Sequence, residues 1–464
     1  MLFKQSWQYL ERRLYRRVDG ASLAVFRIAF GALMLWDVWK YFRYDWIGMM
    51  FITPRFHFTY YGFGWVEPWP GNLMYVHFAV LGLLAILIMV GLFYRVAIVL
   101  FLVAFTYVFL LDQAEYLNHF YLVILLNILM VFVPANRVYA LDSLIWRRGK
   151  RHQGQLYVWN VWIVRVQMEI VLIFAGIVKI NPDWLQLQPL KMWLGERSHV
   201  VLIGPYLNET WVIAVGAYGV ILLHVLGAPL LLHKRTRLPV FGVYALFHLA
   251  NHVFFNIGIF PWLTLAGTTL FFAPDWPRRW LSWGKRAVPG VHTADAKDGG
   301  VFGAKRHRLV RQSVVVLLGV WVATQILIPM RHHLYPGDTS WTEQGHRFSW
   351  QMKLRDKTTE AQFTVIDPEN DRSWAVDKRF FLTARQVRKM SNRPDMILQF
   401  AHHVADQWQR ERGGDRPAVH ALVRTSLNGR TPQLMIDPER NLVAIERDLA
   451  PADWILPLTV ELPR

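Results

Sequence analysis

Long apolar runs separated by short basic or aromatic connectors fill the first 330 residues of the chain. A run of about 20 apolar residues is long enough for a helix to cross a bilayer. Run length predicts nine spans, at 21–41, 73–93, 96–111, 119–135, 161–180, 210–232, 239–256, 258–273 and 312–330. The runs at 96–111 and 258–273 are the shortest. The charged stretch Met1–Asp19 precedes a full-length span, so that span reads as its own insertion signal rather than a cleaved leader.

The pattern changes after Met330. Phe348–Leu354 and Glu360–Ile366 read as strands, Thr383–Ser391 and Met396–Arg412 as helices, and Ala418–Ser426 and Gln433–Ile436 again as strands. Thr383 is placed to cap the first helix, and Asn428-Gly429 is a turn signal between the last two strands. The stretch 284–311 is rich in Gly, Lys and Arg, lacks periodicity and reads as a cytoplasmic linker. The expected fold is therefore a polytopic α-helical membrane protein with a small C-terminal exported α+β domain. Its divisions are 1–283 (helices one to eight), 284–311 (linker), 312–330 (ninth helix) and 331–464 (exported domain).

Composition agrees with the pattern: 54% of the residues are hydrophobic. The net charge of +18 invites a nucleic-acid reading, but its distribution argues against one. Lys4, Arg12, Arg13, Arg16 and Arg17 precede the first span, and Arg137, Arg147, Arg148, Lys150 and Arg151 follow the fourth. Lys234, Arg235 and Arg237 follow the sixth, and another basic cluster lies between the eighth and ninth. With nine crossings all of these fall on one side, the positive-inside pattern. It puts the N-terminus in the cytoplasm and the C-terminal domain outside. Membrane lipid, not nucleic acid, is the expected partner of the basic faces. The chain has no cysteine, which excludes disulfides, thiolate metal sites and thiol nucleophiles. An exported domain without disulfides suits a bacterial inner-membrane protein facing the periplasm.

Within this frame some polar residues stand out. The span at 161–180 ends on Lys179, followed by Asn181, Pro182, Asp183 and Trp184. A lysine inside a span costs roughly 2.5–3.5 kcal/mol at mid-depth, and less near an end, where it snorkels. Asp112, Asn118, His119, His248, Asn251, His252 and Asn256 fall toward the same outer side. His248 and His252 are four apart and share a helix face with Asn251. Such a cluster suggests acid–base work in an apolar cavity, because burial lowers the pKa of a lysine and makes it a base for a phenol-like hydroxyl. The structural alternative is that Asn and His bond neighbouring helices. The His248/His252 pair has metalloprotease spacing, but Leu249 stands where the general-base glutamate would be, and no metal is expected. Arg27 reads as a partner of Asp37 or of a lipid phosphate, and Arg165 and Glu169, four apart, as mutually neutralising.

The chain resembles the vitamin K-dependent γ-glutamyl carboxylase family, including bacterial members with the shared HTTM membrane domain. The matching stretches are ASLAVFRIAFGALML (21–35), YRVAIVLFLVAFTYVFLLD (94–112), LNHFYL (117–122), FAGIVKINPDW (174–184), FHLANHVFFNIGIFPW (247–262) and APDWPRR (273–279). YPGDTSWTEQGHRFSWQMKLRDK (335–357) resembles the start of the family's exported domain. The resemblance implies a carboxylase with epoxidase activity, a carbon–carbon lyase. Its cofactor would be a reduced vitamin K (phylloquinol or menaquinol), its co-substrates O2 and CO2, and its acceptor a glutamate-containing peptide or protein. It makes Lys179 the base that deprotonates the hydroquinone. It places Asn118 and His119 near the reacting quinone and glutamate, and matches His248 and Asn251 to the seventh-span motif on the cofactor side. Lysine is too weak to remove the γ-hydrogen of glutamate. The family couples that removal to oxidation of the hydroquinone to its epoxide, in a site that excludes water.

Two departures matter. Val178 stands where the animal enzymes carry a second lysine, and the exported domain is shorter. Within it His346, Arg347 and Trp350 are candidates for contacting an acidic peptide, since arginine suits a carboxylate; the alternative is that they dock the domain on the membrane part. Three functions stay open: the carboxylase, a quinol epoxidase with a different acceptor or none, and a non-catalytic lipid- or quinone-binding scaffold.

Overall fold

The computed structural model describes residues 2–146, 154–200, 203–255, 257–281 and 301–463. The chain opens on α1 (Leu2–Leu14) and β1 (Arg17–Asp19), then runs through α2 (Ala21–Arg43), α3 (Leu73–Val90), α4 (Tyr94–Leu111) and α5 (Asn118–Phe132). The short α6 (Leu141–Ile145) and β2 (Gln155–Tyr157), which pairs antiparallel with β1, lead into α7 (Val158–Ile177). Two brief helices, α8 (Pro182–Leu185) and α9 (Leu190–Gly195), precede α10 (Thr210–Leu222), a π-helical turn over Leu223–Gly227 and α11 (Ala228–Leu231). The helical part closes with α12 (Arg237–Phe255), α13 (Phe260–Thr268), α14 (Trp276–Leu281) and α15 (Val301–Met330).

Among the described residues, 7 helices are long and apolar enough to cross a membrane. Two of the nine expected spans form helices shorter than a full crossing. The fourth run forms α5, only 15 residues long. The eighth, at 258–273, forms the 9-residue α13 and then a 3-10 turn, so it is not one continuous span. The hydroxyls of Thr264, Thr268 and Thr269 each bond a carbonyl in the preceding turn, the back-bonding that loosens a helix. The segment nevertheless joins opposite poles of the bundle. Gly258 faces the His119 ring at the start of α5, and Pro274 accepts a bond from the Ser22 amide at the start of α2, at 3.0 Å. The ninth helix also starts earlier than expected: 301–311, assigned to the linker, is the first part of α15. The rest of that linker, the basic residues at 147–151 and Asn256 lie outside the described residues.

Both intramembrane arginines find carbonyls rather than carboxylates. Arg27 donates to the carbonyls of Ile88, Met89, Ala135 and Tyr139. It thus satisfies carbonyls at the C-terminal end of α3, which have no partner within the helix. Asp37 pairs instead with Lys40, at 2.7 Å. Arg165 donates to Leu270 and Phe272, and the Glu169 oxygens have no hydrogen-bond partner among the described residues. A planar fork of five donors is better matched by several free carbonyls than by one carboxylate a turn away.

The C-terminal domain begins with α16 (Thr339–Thr342). It continues through β3 (Lys357–Ile366), β4 (Ser373–Ala375), α17 (Ala384–Ser391), α18 (Pro394–Arg412), β5 (Ala418–Leu427) and β6 (Gln433–Leu434). The sheet is antiparallel, in the order β4-β3-β5-β6, with β3 and β5 in register from Lys357↔Leu427 to Ile366↔Ala418. Alternate residues Val419, Ala421 and Val423 of β5 are buried with Met390 of α17 and Phe400 and Val404 of α18. Thr383 and Gln386 form a capping box on α17. Asn428 (φ 53°) and Gly429 (φ 83°) make the expected left-handed turn.

Residues 348–354 do not form the expected strand. Phe348, Trp350 and Lys353 all have positive φ, between 51° and 63°. A non-glycine residue in that region costs of order 1–3 kcal/mol and persists only where its surroundings impose it. Here the surroundings are aromatic. Phe348 packs at 4.9 Å and Trp350 at 5.1 Å from Tyr121 of α5. Burial of the two rings offsets the strain, and 347–355 becomes a plug seated in the outer mouth of the helix bundle.

Candidate functional site

Lys179 lies just past the end of α7. It does not snorkel, being only 6% exposed. Its ammonium donates to Ala175 O, one turn back, and to Met352 O of the plug, each at 3.1 Å. The Trp184 ring sits 5.1 Å away. These partners are dipoles and a π face, with no carboxylate among them. The short helix α8 fixes that ring. Asn181 caps it by accepting from Trp184 N, and the indole N–H donates to Ala217 O.

The plug also reaches Asn118. The Asn118 amide donates to Gln351 O at 3.3 Å and its oxygen accepts from the Tyr116 hydroxyl. That hydroxyl accepts in turn from Phe348 N at 2.7 Å. His119 packs on Phe120 at 4.8 Å and on Phe260 at 6.3 Å, and faces Gly258. Among the described residues no hydrogen bond or ring contact joins His119 to Lys179.

The imidazole beside the end of α7 is instead His224, a residue the sequence reading passed over. It is buried in the π-helical turn and donates to Val220 O at 2.8 Å. Gly176 makes this approach possible, because a Cβ there would lie 2.8 Å from the His224 Cβ. His224 was findable in principle, as an ionisable residue inside an apolar span. Its ring meets Tyr244 at 5.5 Å and Phe247 at 5.1 Å. Beyond Tyr244 lies His248, buried, with neither ring nitrogen bonded among the described residues. Asn251 is half-buried one turn further along α12. His252 Nδ1 and Trp262 Nε1 are likewise without partners, their rings 5.5 Å apart.

Outside the bundle, a cavity of about 550 Å³ lies between the outer loop and the C-terminal domain, with Tyr60, Arg331, His346, Arg347, Asp395 and Arg447 in its wall. Three buried polar atoms in that wall have no partner among the described residues: Tyr60 Oη, His346 Nε2 and Arg347 Nε. Arg347 is held by Asp395 at 2.6 Å. Burial drives the His346 imidazole well below its ordinary value, and Glu343 beside it only partly opposes this. The neutral ring donates from Nδ1 to Glu343 O at 2.7 Å, which leaves Nε2 as an acceptor facing the cavity. Burial alone would raise the Glu343 carboxyl, but Arg355 and Lys357 outweigh it and hold Glu343 far below the carboxylate range. Trp350 is fully buried against Tyr121 and does not line this cavity.

The C-terminal domain is fastened to the outer side of the bundle by charged contacts that single-residue reading did not find. Arg385 of α17 makes two bonds of 2.6 Å to Glu115. Gln386 donates to Asp112 at 2.9 Å, which makes Asp112 a docking group. Asp183, just past Lys179, is buried under Arg430. Among the described residues no group of His, Cys, Asp or Glu could hold a metal ion.

Two family models match the chain. The HTTM domain matches residues 15–276, and the vitamin K-dependent gamma-carboxylase lumenal domain matches residues 310–461. No solved structure matches it.

Proposed function

The chain belongs to the family that joins an HTTM domain to a vitamin K-dependent gamma-carboxylase lumenal domain, and on that premise we propose that it is an integral membrane carboxylase. In this reading it couples conversion of a reduced vitamin K to its epoxide with carboxylation of glutamate side chains. The observation that carries the reading is Lys179, an amine buried in the motif FAGIVKINPDW and bonded, among the described residues, to the carbonyls of Ala175 and Met352 beside the Trp184 indole.

The residues present suit a hydroquinone. Its ring needs an apolar wall, and its two hydroxyls need hydrogen-bonding groups and one base. His248 and His252 supply buried nitrogens without partners among the described residues, set among Tyr244, Phe260 and Trp262. Lys179, in its neutral amine form, takes the proton from the hydroquinone hydroxyl, a group with a solution pKa of about 10 for a phenol. When bound, the reduced vitamin K supplies, through its oxidation by dioxygen, the strong base that no side chain of this chain provides. Asn118, Gln351 and Met352 hold the plug across the mouth and exclude water from the amine. Asn118 and His119 lie on the side from which the glutamate approaches. Arg347, Tyr60 and His346 line the cavity that takes the acidic side chain. Asn251 extends the cofactor side of α12.

Nine passages through the membrane accompany this reading, the broken segment 258–273 included, with the basic connectors in the cytoplasm and the C-terminal domain outside. In a bacterium that places the domain in the periplasm.

The test incubates purified protein with reduced vitamin K, labelled CO2 and a glutamate-containing peptide. Epoxide with fixed label supports the carboxylase. Epoxide without fixed label selects a quinol epoxidase with another acceptor or none, a reading favoured by Val178 in place of the second lysine. Neither product leaves a lipid- or quinone-binding scaffold.

A further inference from the structure

The motif that carries Lys179 has a second charged member, Asp183, that the proposed chemistry does not use. Pro182 and the Asn181 cap start α8 and turn the Asp183 side chain toward the C-terminal domain. There it meets both guanidinium nitrogens of Arg430, Nη1 to Oδ2 at 2.6 Å and Nη2 to Oδ1 at 2.7 Å. The Asn428 amide donates to Oδ2 as well, at 2.7 Å. All three side chains are buried.

Asn428 does more than face Asp183. Its side-chain oxygen accepts from Asp356 N at 2.8 Å, and its own N–H donates to Asp356 O at 2.9 Å. Asp356 follows directly on the plug and anchors it, four residues past Met352, whose carbonyl receives the Lys179 amine. On the other side of that amine stands Trp184, the neighbour of Asp183. Two walls of the amine are thus tied to one hairpin turn.

A buried ion pair is a poor source of stability, because desolvation consumes most of its Coulombic gain and an apolar pair often serves as well. Its value lies in register, since a bidentate fork accepts a carboxylate in one geometry. We propose that the Asn428–Arg430 turn is an interdomain clamp, a set of positioning residues that holds the Met352 carbonyl and the Trp184 ring on either side of Lys179. The inference deepens the proposed function, and only its activity readout depends on that reading.

The full-length protein carrying Asp183→Leu with Arg430→Met tests it. Removing both charges leaves no unpaired ion, although Asn428 Nδ2 loses its acceptor and Val460 O a donor, so the chain folds with a melting point close to native. The clamp predicts that amides 351–356 nonetheless exchange with solvent about tenfold faster, as in local opening. It also predicts that Lys179 becomes accessible to an amine-reactive label, and that kcat for hydroquinone oxidation falls with little change in KM. Arg430→Lys keeps the charge without the fork and gives an intermediate result. Should the double variant fold poorly, Asn428→Gly retains the left-handed turn, removes only the amide and shows the same opening. Native exchange and native labelling in a folded double variant or in Asn428→Gly overturn the clamp. Faster exchange and labelling in a protein with no hydroquinone oxidation in any form support the clamp and count against the base assignment alone.

Discussion

Lys179 and Asn118 donate to the adjacent carbonyls of Met352 and Gln351. The single-residue step from Gln351 to Met352 therefore sets the spacing between two side chains from different segments of the bundle. The segment that holds them is also the one with three left-handed non-glycine residues, the kind of strain that clusters at functional sites.

Replacing Lys179 with Ala should abolish epoxide formation, a loss of at least about a hundredfold for removal of a general base. The fold should survive, because the amine removed is bonded, among the described residues, to two carbonyls and to no carboxylate. Epoxide assay and melting point together check this, and an unchanged epoxidation rate would refute the assignment.

The apolar runs made most of the helices legible before any coordinates, because the bilayer demands them. They could not reveal that the eighth segment is a 9-residue helix followed by a 3-10 turn, since the threonine hydroxyls bonding their own backbone there leave hydropathy untouched. Lys179 was visible as an amine at the end of an apolar run. What covers it was not, because Met352 is 173 residues away in sequence. Apolar residues at 348–354 suggested a strand, but their pairing is with Tyr121 rather than with another strand. Asp183 and Arg430 each look like an ordinary charge alone. Only the fold joins them.

Arg347 offers a way to separate the two proposed half-reactions. Arg347→Ala removes a donor from the cavity wall and frees Asp395. The ratio of carboxylation to epoxidation should fall, with KM for an acidic peptide rising about tenfold or more, as expected for loss of a charge-assisted bond. An unaltered ratio would move the acidic substrate elsewhere.

The His346 cluster should make the fold acid-sensitive. His346 has a folded value well below its ordinary one, so the unfolded chain binds the extra proton. Its contribution is fully present above about pH 6.5 and is lost as the pH falls toward the folded value, by about 1.4 kcal/mol per pH unit. Glu343, held much lower, stays ionised through that window. The melting point should therefore drop from about pH 7 to about pH 5, and drop less in His346→Gln. Equal slopes in the two proteins would argue against a buried neutral imidazole.

Gly176→Ala tests the approach of α7 to the π-helical turn. The added Cβ would lie 2.8 Å from both the His224 Cβ and the Val225 Cγ2, and neither neighbour is the far end of a flexible chain. A loss of about 1–3 kcal/mol in stability is expected from such overpacking. A native melting point would mean that the turn yields more easily than its packing suggests.

The order of synthesis gives the plug a temporal meaning. A ribosome finishes Lys179 long before it reaches Met352, so the newborn bundle carries its amine with one bonding partner missing. The amine is completed only once the last third of the polypeptide has been made, folded and seated. A truncated or stalled chain thus lacks the cover over that amine.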